Sequence, residues 1–156
     1  MSAPSNNASQ TTTEYVTVTI GDHLFGLPIS RVQDVFVPDR LTRVPLAPSE
    51  VAGILNLRGR VVTAIDMRSR LDFGALAPGH KVMAIGIEFK GESYGLLVDA
   101  VGEVMALTDS EQQAKPANLD PRLARVASGV YRLESQLLLV LDVDCVLDIR
   151  NGAAAA

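Results

Sequence analysis

The stretch 53-GILNLRGRVVTAIDMRSRLD-72 returns in altered form as 129-GVYRLESQLLLVLDVDCVLD-148. Gly53, Leu57, Asp66, Leu71 and Asp72 recur as Gly129, Leu133, Asp142, Leu147 and Asp148, at a constant offset of 76. A second match precedes it: 26-GLPISRVQDVF-36 lies against 95-GLLVDAVGEVM-105 at an offset of 69, with Gly26, Leu27, Val32 and Val35 repeated as Gly95, Leu96, Val101 and Val104. Two ungapped matches in the same order identify an internal duplication, and each element must then be read twice. The offset grows because the second connector, 106–128, is longer than its counterpart at 37–52.

Both copies give the same local pattern. Tyr15–Ile20 alternates, with Val16, Val18 and Ile20 on one face and Tyr15, Thr17 and Thr19 on the other. A turn at Gly21-Asp22 and the run 23-HLFGLP-28 complete a hairpin, repeated by 82-VMAIGIEF-89, Lys90-Gly91-Glu92 and 93-SYGLLV-98. Ile29, Val32 and Val35, like Val98, Val101 and Val104, recur at every third residue, which predicts one tight helical turn before a further strand. The next hairpin turns at Arg58-Gly59-Arg60 in one copy and Glu134-Ser135-Gln136 in the other. Its return strands, VVTAI and LLLVL, are apolar on both faces and are expected between two packed layers, at the seam of the halves. Asp66 and Asp142 then stand where each caps a short helix, whose buried face holds Met67 and Leu71, or Val143 and Leu147. Many short strands with no long helix predict an all-β fold of two tandem small barrels. Whether each barrel is built from its own half or exchanges strands with the other stays open. The expected organisation is a disordered polar tail at 1–13, a domain at 14–149 with halves at about 14–76 and 80–149, and a disordered Ala-rich tail at 150–156.

Composition narrows the function. With 47% hydrophobic residues the chain can build a core, and with no Trp, three Tyr and four Phe that core rests on Val, Leu and Ile. Each such side chain contributes roughly 1.5–3 kcal/mol when fully buried. A single cysteine, Cys145, excludes an intramolecular disulfide and a cysteine zinc cluster. Neither a signal peptide nor an apolar run of about 20 residues is present, so a cytoplasmic location is expected. Residues 31–70 hold seven arginines against four acids, a net +3, leaving −7 on the rest of a chain whose net charge is −4. That asymmetry points to a charged partner, although an arginine-rich coding bias gives the same excess.

No catalytic constellation can be assembled. His23 and His80 lie in or near turns in unrelated surroundings, and Cys145 beside Val146 and Leu147 is expected to be a buried, inert thiol. Phosphate-loop, dinucleotide, zinc-protease and serine-hydrolase motifs are all absent. Single-strand nucleic-acid binding lacks its stacking platforms, since Phe36 is the only aromatic residue of the basic region. A non-enzymatic binding module without a cofactor is the remaining class, with a ligand-binding or catalytic barrel as its rival. Where the halves agree, the residues are read as core; where they differ, as function. That rule selects Arg58-Gly59-Arg60, the segment 37-VPDRLTRVP-45 and the connector at 108–125.

Those residues also carry a family resemblance. From about Glu14 to Ile149 the chain resembles the CheW family, the coupling proteins of bacterial chemotaxis, through 31-RVQDVF-36, 53-GILNLRGRVVTAIDMR-68 and 94-YGLLVDAVGEVM-105. The resemblance implies two five-stranded SH3-like barrels. It also implies an adaptor linking the cytoplasmic tips of chemoreceptors to the regulatory domain of the histidine kinase CheA, in arrays at the membrane or in a non-flagellar chemosensory pathway. Carried over residue by residue, it places Arg58, Leu97, Val98 and Val104 on a receptor-binding groove, and Val32, Asp34, Gln113 and Asn118 on a kinase-binding surface. Asp34 stands where relatives have a glutamate, and the connector with Gln113 and Asn118 lacks the basic and aromatic residues of some relatives. The competing structural reading makes Arg58 a loop brace, and Val32 and Val104 core.

Overall fold

A computed structural model describes residues 11–74 and 81–148 of the chain. His80 and most of both expected tails lie outside the described residues. At the N-terminal end β1 begins at Thr12, inside the segment expected to be disordered. The strands run β1 (Thr12–Ile20), β2 (His23–Pro28), β3 (Val32–Phe36), β4 (Val51–Leu57), β5 (Arg60–Asp66), β6 (Met83–Phe89), β7 (Glu92–Val98), β8 (Ala100–Thr108), β9 (Ala127–Arg132) and β10 (Leu137–Leu141). Among the described residues, three short α-helices accompany them: α1 (Met67–Arg70), α2 (Pro121–Ala124) and, after the last strand, α3 (Val143–Leu147).

The strands form two five-stranded sheets, ordered β8-β1-β2-β10-β9 and β3-β6-β7-β5-β4. Each sheet therefore draws strands from both halves of the sequence. The first hairpin of one half joins the last three strands of the other, and the parallel pairs β2–β10 and β5–β7 are the junctions. Reach is the reason. One residue, Asp99, separates β7 from β8, and three separate β2 from β3. In a barrel made from one half, β8 would lie two strands away from β7, about 10 Å across the sheet. A one-residue link carries the chain two Cα steps, at most about 7 Å, so the chain runs on into the other barrel.

The duplication extends to the irregularities. Register slips between Val16 and Val18 on β1 and between Val32 and Asp34 on β3 fall at the same repeat position, as do those beside Gly53 and Gly129. Both connectors leave an edge strand and pair with the opposite edge, Thr42 with Ile54 and Gln113 with Val130, which draws each sheet towards a barrel.

The largest cluster of buried side chains belongs to both sheets, uniting Val18, Phe25 and Leu139 with Ile65, Ile87 and Leu96. Each sheet also holds a smaller cluster, and their members are repeat partners. Leu55, Val62, Ala64 and Ala84 pack in one, and Tyr131, Leu138, Val140 and Tyr15 in the other. β10 is buried on both faces, as its composition predicts. β5 departs from the prediction at its first turn: Val61 is 64% exposed, because its cross-strand neighbour is the polar, solvent-facing Asn56. The alternation read in β1 is incomplete too, since Tyr15 is buried within the smaller cluster and Thr17 against β8.

Both aspartate caps form. Asp66 accepts from the backbone N–H groups of Arg68 and Ser69, and Asp142 from that of Cys145. Met67, Leu71, Val143 and Leu147 are buried as expected. Two further expectations fail. The tight turn at Ile29–Arg31 has no counterpart in the second half, where Asp99 alone makes the link. Cys145 is exposed, because α3 turns Val143, Val146 and Leu147 inward and leaves Asp144 and Cys145 outside. Partial desolvation of the thiol, its hydrogen bond to Asp142, and the nearby Asp148 and Asp144 raise its pKa and disfavour the thiolate.

Candidate partner-binding surface

The string Asn56-Leu57-Arg58-Gly59 builds a two-residue hairpin turn. Arg58 and Gly59 both adopt the left-handed conformation, with φ of 52° and 82°, between the closing pair Leu57 and Arg60. Two consecutive positive φ values match the twist of the strands, and the second is supplied without strain by glycine. Asn56 locks the turn, its Oδ1 accepting from the Gly59 N–H at 2.9 Å. The geometry leaves the Arg58 side chain 73% exposed, yet directed: Nη1 donates to Asp34 Oδ2 of β3 at 3.0 Å. Beside it Arg60 Nη2 donates to Ser93 Oγ at 2.8 Å, and Gln33 Nε2 to Glu88 Oε1 at 3.0 Å. Arg58, Asp34, Arg60, Ser93 and Gln33 line a depression of ≈ 60 Å³ together with Phe36, Leu57, Val62 and Tyr94.

An exposed ion pair beside an apolar lining suits recognition of a polar group on a protein partner. An exposed pair contributes about 0–1 kcal/mol to stability, so its charge remains available for exchange. Asp34 and Arg58, assigned by resemblance to different partners, are here a single feature. Val32 is half-buried and packs against the central core. Val104, 47% exposed, stands on β8 of the other sheet opposite Val16.

The remaining residues separate. Leu97 and Val98 are buried, 8% and 1% exposed, the first in the small cluster of its sheet and the second in the central core. Leu97 packs with Val62, Phe36 and Leu57 beneath the depression, whereas Val98 lies in the core between the sheets; β7 is the middle strand of its sheet, covered on both faces. Gln113 and Asn118 are exposed but belong to the other barrel, Gln113 paired to β9 and Asn118 beside Leu119 and Leu137 at a second cavity. Among the exposed apolar residues, Val37 opens the segment that the comparison of halves selects, whereas Val35 and Val61 were not legible as surface. Pairing of Val61 with Asn56 is the signal that marks its outward face.

The CheW-like domain model matches residues 14–150. The chain belongs to the CheW-like family. It is 30% identical to the chemotaxis protein CheW of Rhizobium meliloti, over 91% of this chain and 92% of that protein. Against the chemotaxis protein CheW of Bacillus subtilis the identity is 25%, over 84% of each. The crystal structure of the scaffolding protein TtCheW from Thermoanaerobacter tengcongensis superposes with a TM-score of 0.74 at 26% identity, covering 84% of this chain and 89% of that one. The paired barrels derived from the duplication are thus the CheW architecture. Among the described residues, no group of His, Cys, Asp and Glu is placed to hold a metal ion, and no helix is long and apolar enough to cross a membrane.

Proposed function

We propose that this CheW-like chain is a non-enzymatic chemotaxis adaptor that joins the cytoplasmic tips of chemoreceptors to the regulatory domain of the histidine kinase CheA. Family membership over nearly the whole chain carries the reading. The mechanism is one of geometry. A receptor helix presents an apolar stripe to the molecule, as helix-in-groove recognition does. Arg58 fixes its register by a charge-assisted hydrogen bond, released in part from Asp34. Asp34 and the flank of Val32 serve the kinase side, with the connector at Gln113 and Asn118 supplying a second contact on the other barrel. The protein is recruited to receptor arrays at the membrane through these contacts.

Calorimetric titration against a receptor signalling fragment and the kinase regulatory domain tests the reading. The intact protein is expected to bind both. Arg58→Ala should lose binding while its Tm moves by less than about 3 °C, since an exposed ion pair contributes so little to the fold. Failure of the intact protein to bind either partner rejects the adaptor. Unfolding of Arg58→Ala makes Arg58 a loop brace.

A further inference from the structure

The strings that carry the resemblance contain two charged residues that the partner surface does not use, Arg68 and Asp99. Far apart in sequence, they meet in the fold. Arg68 Nε donates to Asp99 Oδ1 at 3.1 Å and Nη2 to Asp99 Oδ2 at 3.0 Å, in a two-pronged pair whose side chains are 20% and 13% exposed. Asp99 Oδ2 also accepts from the Gly21 N–H at 2.8 Å, and the Asp99 N–H donates to Thr19 O at 2.9 Å.

The placement gives these bonds a meaning. Asp99 is the single residue that carries the chain from β7 in one sheet to β8 in the other. Arg68 stands on α1, the continuation of β5, in the sheet of β7. Thr19 and Gly21 belong to the β1–β2 hairpin of the opposite sheet. One carboxylate is thus gripped from both barrels at the point where the backbone crosses between them.

The pseudo-equivalent crossing carries a pair of reversed polarity. Arg31, between β2 and β3, donates Nη2 to Asp144 Oδ1 of α3 at 3.0 Å, and Asp144 is the residue that aligns with Arg68. Arg70 adds a third bridge, Nε and Nη2 donating to Val146 O at 3.1 Å and Cys145 O at 3.0 Å near the end of α3. The pairs differ in burial: Arg31 and Asp144 are 34% and 63% exposed, so water weakens their pair far more than it does Arg68–Asp99.

We infer that Arg68 and Asp99 form a brace that fixes the angle between the two barrels, so that partner surfaces on different barrels can be engaged at the same time. The guanidinium fork sets direction as well as distance, which a lysine ammonium does not. Arg68 and Asp99 are positioning residues. The brace itself follows from the geometry alone, and its consequence for signalling rests on the adaptor reading above.

Pulsed electron spin resonance tests the brace without any partner. In a Cys145→Ser background, spin labels at Val61→Cys and Arg132→Cys report one distance between the sheets, and labels at Glu103→Cys and Arg132→Cys one within a sheet. The intact protein is expected to give a narrow distribution for both. Arg68→Met should broaden the first and leave the second unchanged, and Arg68→Lys should broaden it less. The lysine variant keeps the test open if the methionine variant does not fold. Affinity for the kinase domain alone and for the receptor fragment alone should hold within about twofold, while assembly of all three weakens about tenfold as joint engagement is lost. A narrow inter-sheet distance in folded Arg68 variants overturns the brace. Broadening without loss of joint assembly overturns its role in coupling. Absence of binding by the intact protein rejects the adaptor and leaves the label result standing.

Discussion

Asp120 carries two jobs with one carboxylate. It caps α2 by accepting from the Arg122 N–H at 2.9 Å, and it pairs with the Arg122 side chain at 2.8 Å, whose guanidinium lies 5.2 Å from the Phe73 ring centre. The side-chain hydrogen bond from Arg122, followed by the backbone one, lowers its pKa from 3.8 to about 2. A folded-state pKa below the unfolded one means that the contribution is fully present above the unfolded value of 3.8 and is lost as pH falls through about 2. Urea midpoints measured from about pH 5 down to about pH 2 should therefore fall less steeply in Asp120→Asn than in the parent protein. The carboxylate is exposed enough that this difference is expected to be small. Equal slopes would show that the pair is screened completely.

Among the elements, the two connectors reach the same place by different means. At Gly53 an added Cβ would lie 2.5 Å from Thr42 O, backbone that is itself held by two hydrogen bonds to Ile54 at 2.8 Å. At Gly129, its repeat partner, the Cβ would meet the side-chain amide of Gln112, the free end of an exposed side chain that can swing away. Gly53→Ala is expected to destabilise by about 1–3 kcal/mol and Gly129→Ala by less than about 1 kcal/mol. Chemical denaturation of the two variants side by side checks the ordering. Equal losses would mean that the first connector yields as readily as a side chain.

For the whole molecule, exchange of strands removes the sequence half as a folding unit. Neither sheet can be completed from one half, and the central core takes side chains from both. Residues 1–78 produced alone are expected to lack β structure by circular dichroism, and mixing them with residues 79–156 should restore it. The intact chain should unfold in one cooperative transition seen alike by circular dichroism and tyrosine fluorescence. A folded half, or two separate transitions, would contradict the shared core.

The sequence by itself determined what local chemistry determines. The duplication, the hairpins, the caps at Asp66 and Asp142 and the exposed arginine turn all follow from spacing, turn residues and the helix-start signal. The same strings carried the family resemblance. Other features belonged to the tertiary structure. Pairing β2 with β10 or with β5 satisfies equivalent apolar strands, so the repeat pattern is blind to strand exchange, and the short reach of the Asp99 link settles it. Leu97 and Val98 were placed at a groove by the family resemblance alone; the sheet order, which makes β7 a covered middle strand, is what buries them. Cys145 and Val61 came out on the surface because the turn of a helix and a cross-strand neighbour, not their own hydrophobicity, set the direction of each side chain. Arg58 and Asp34, or Arg68 and Asp99, are 24 and 31 residues apart, and nothing local joins them. Sequence fixes what each segment can form by itself; contacts between distant segments are decided only when the shared core brings them together.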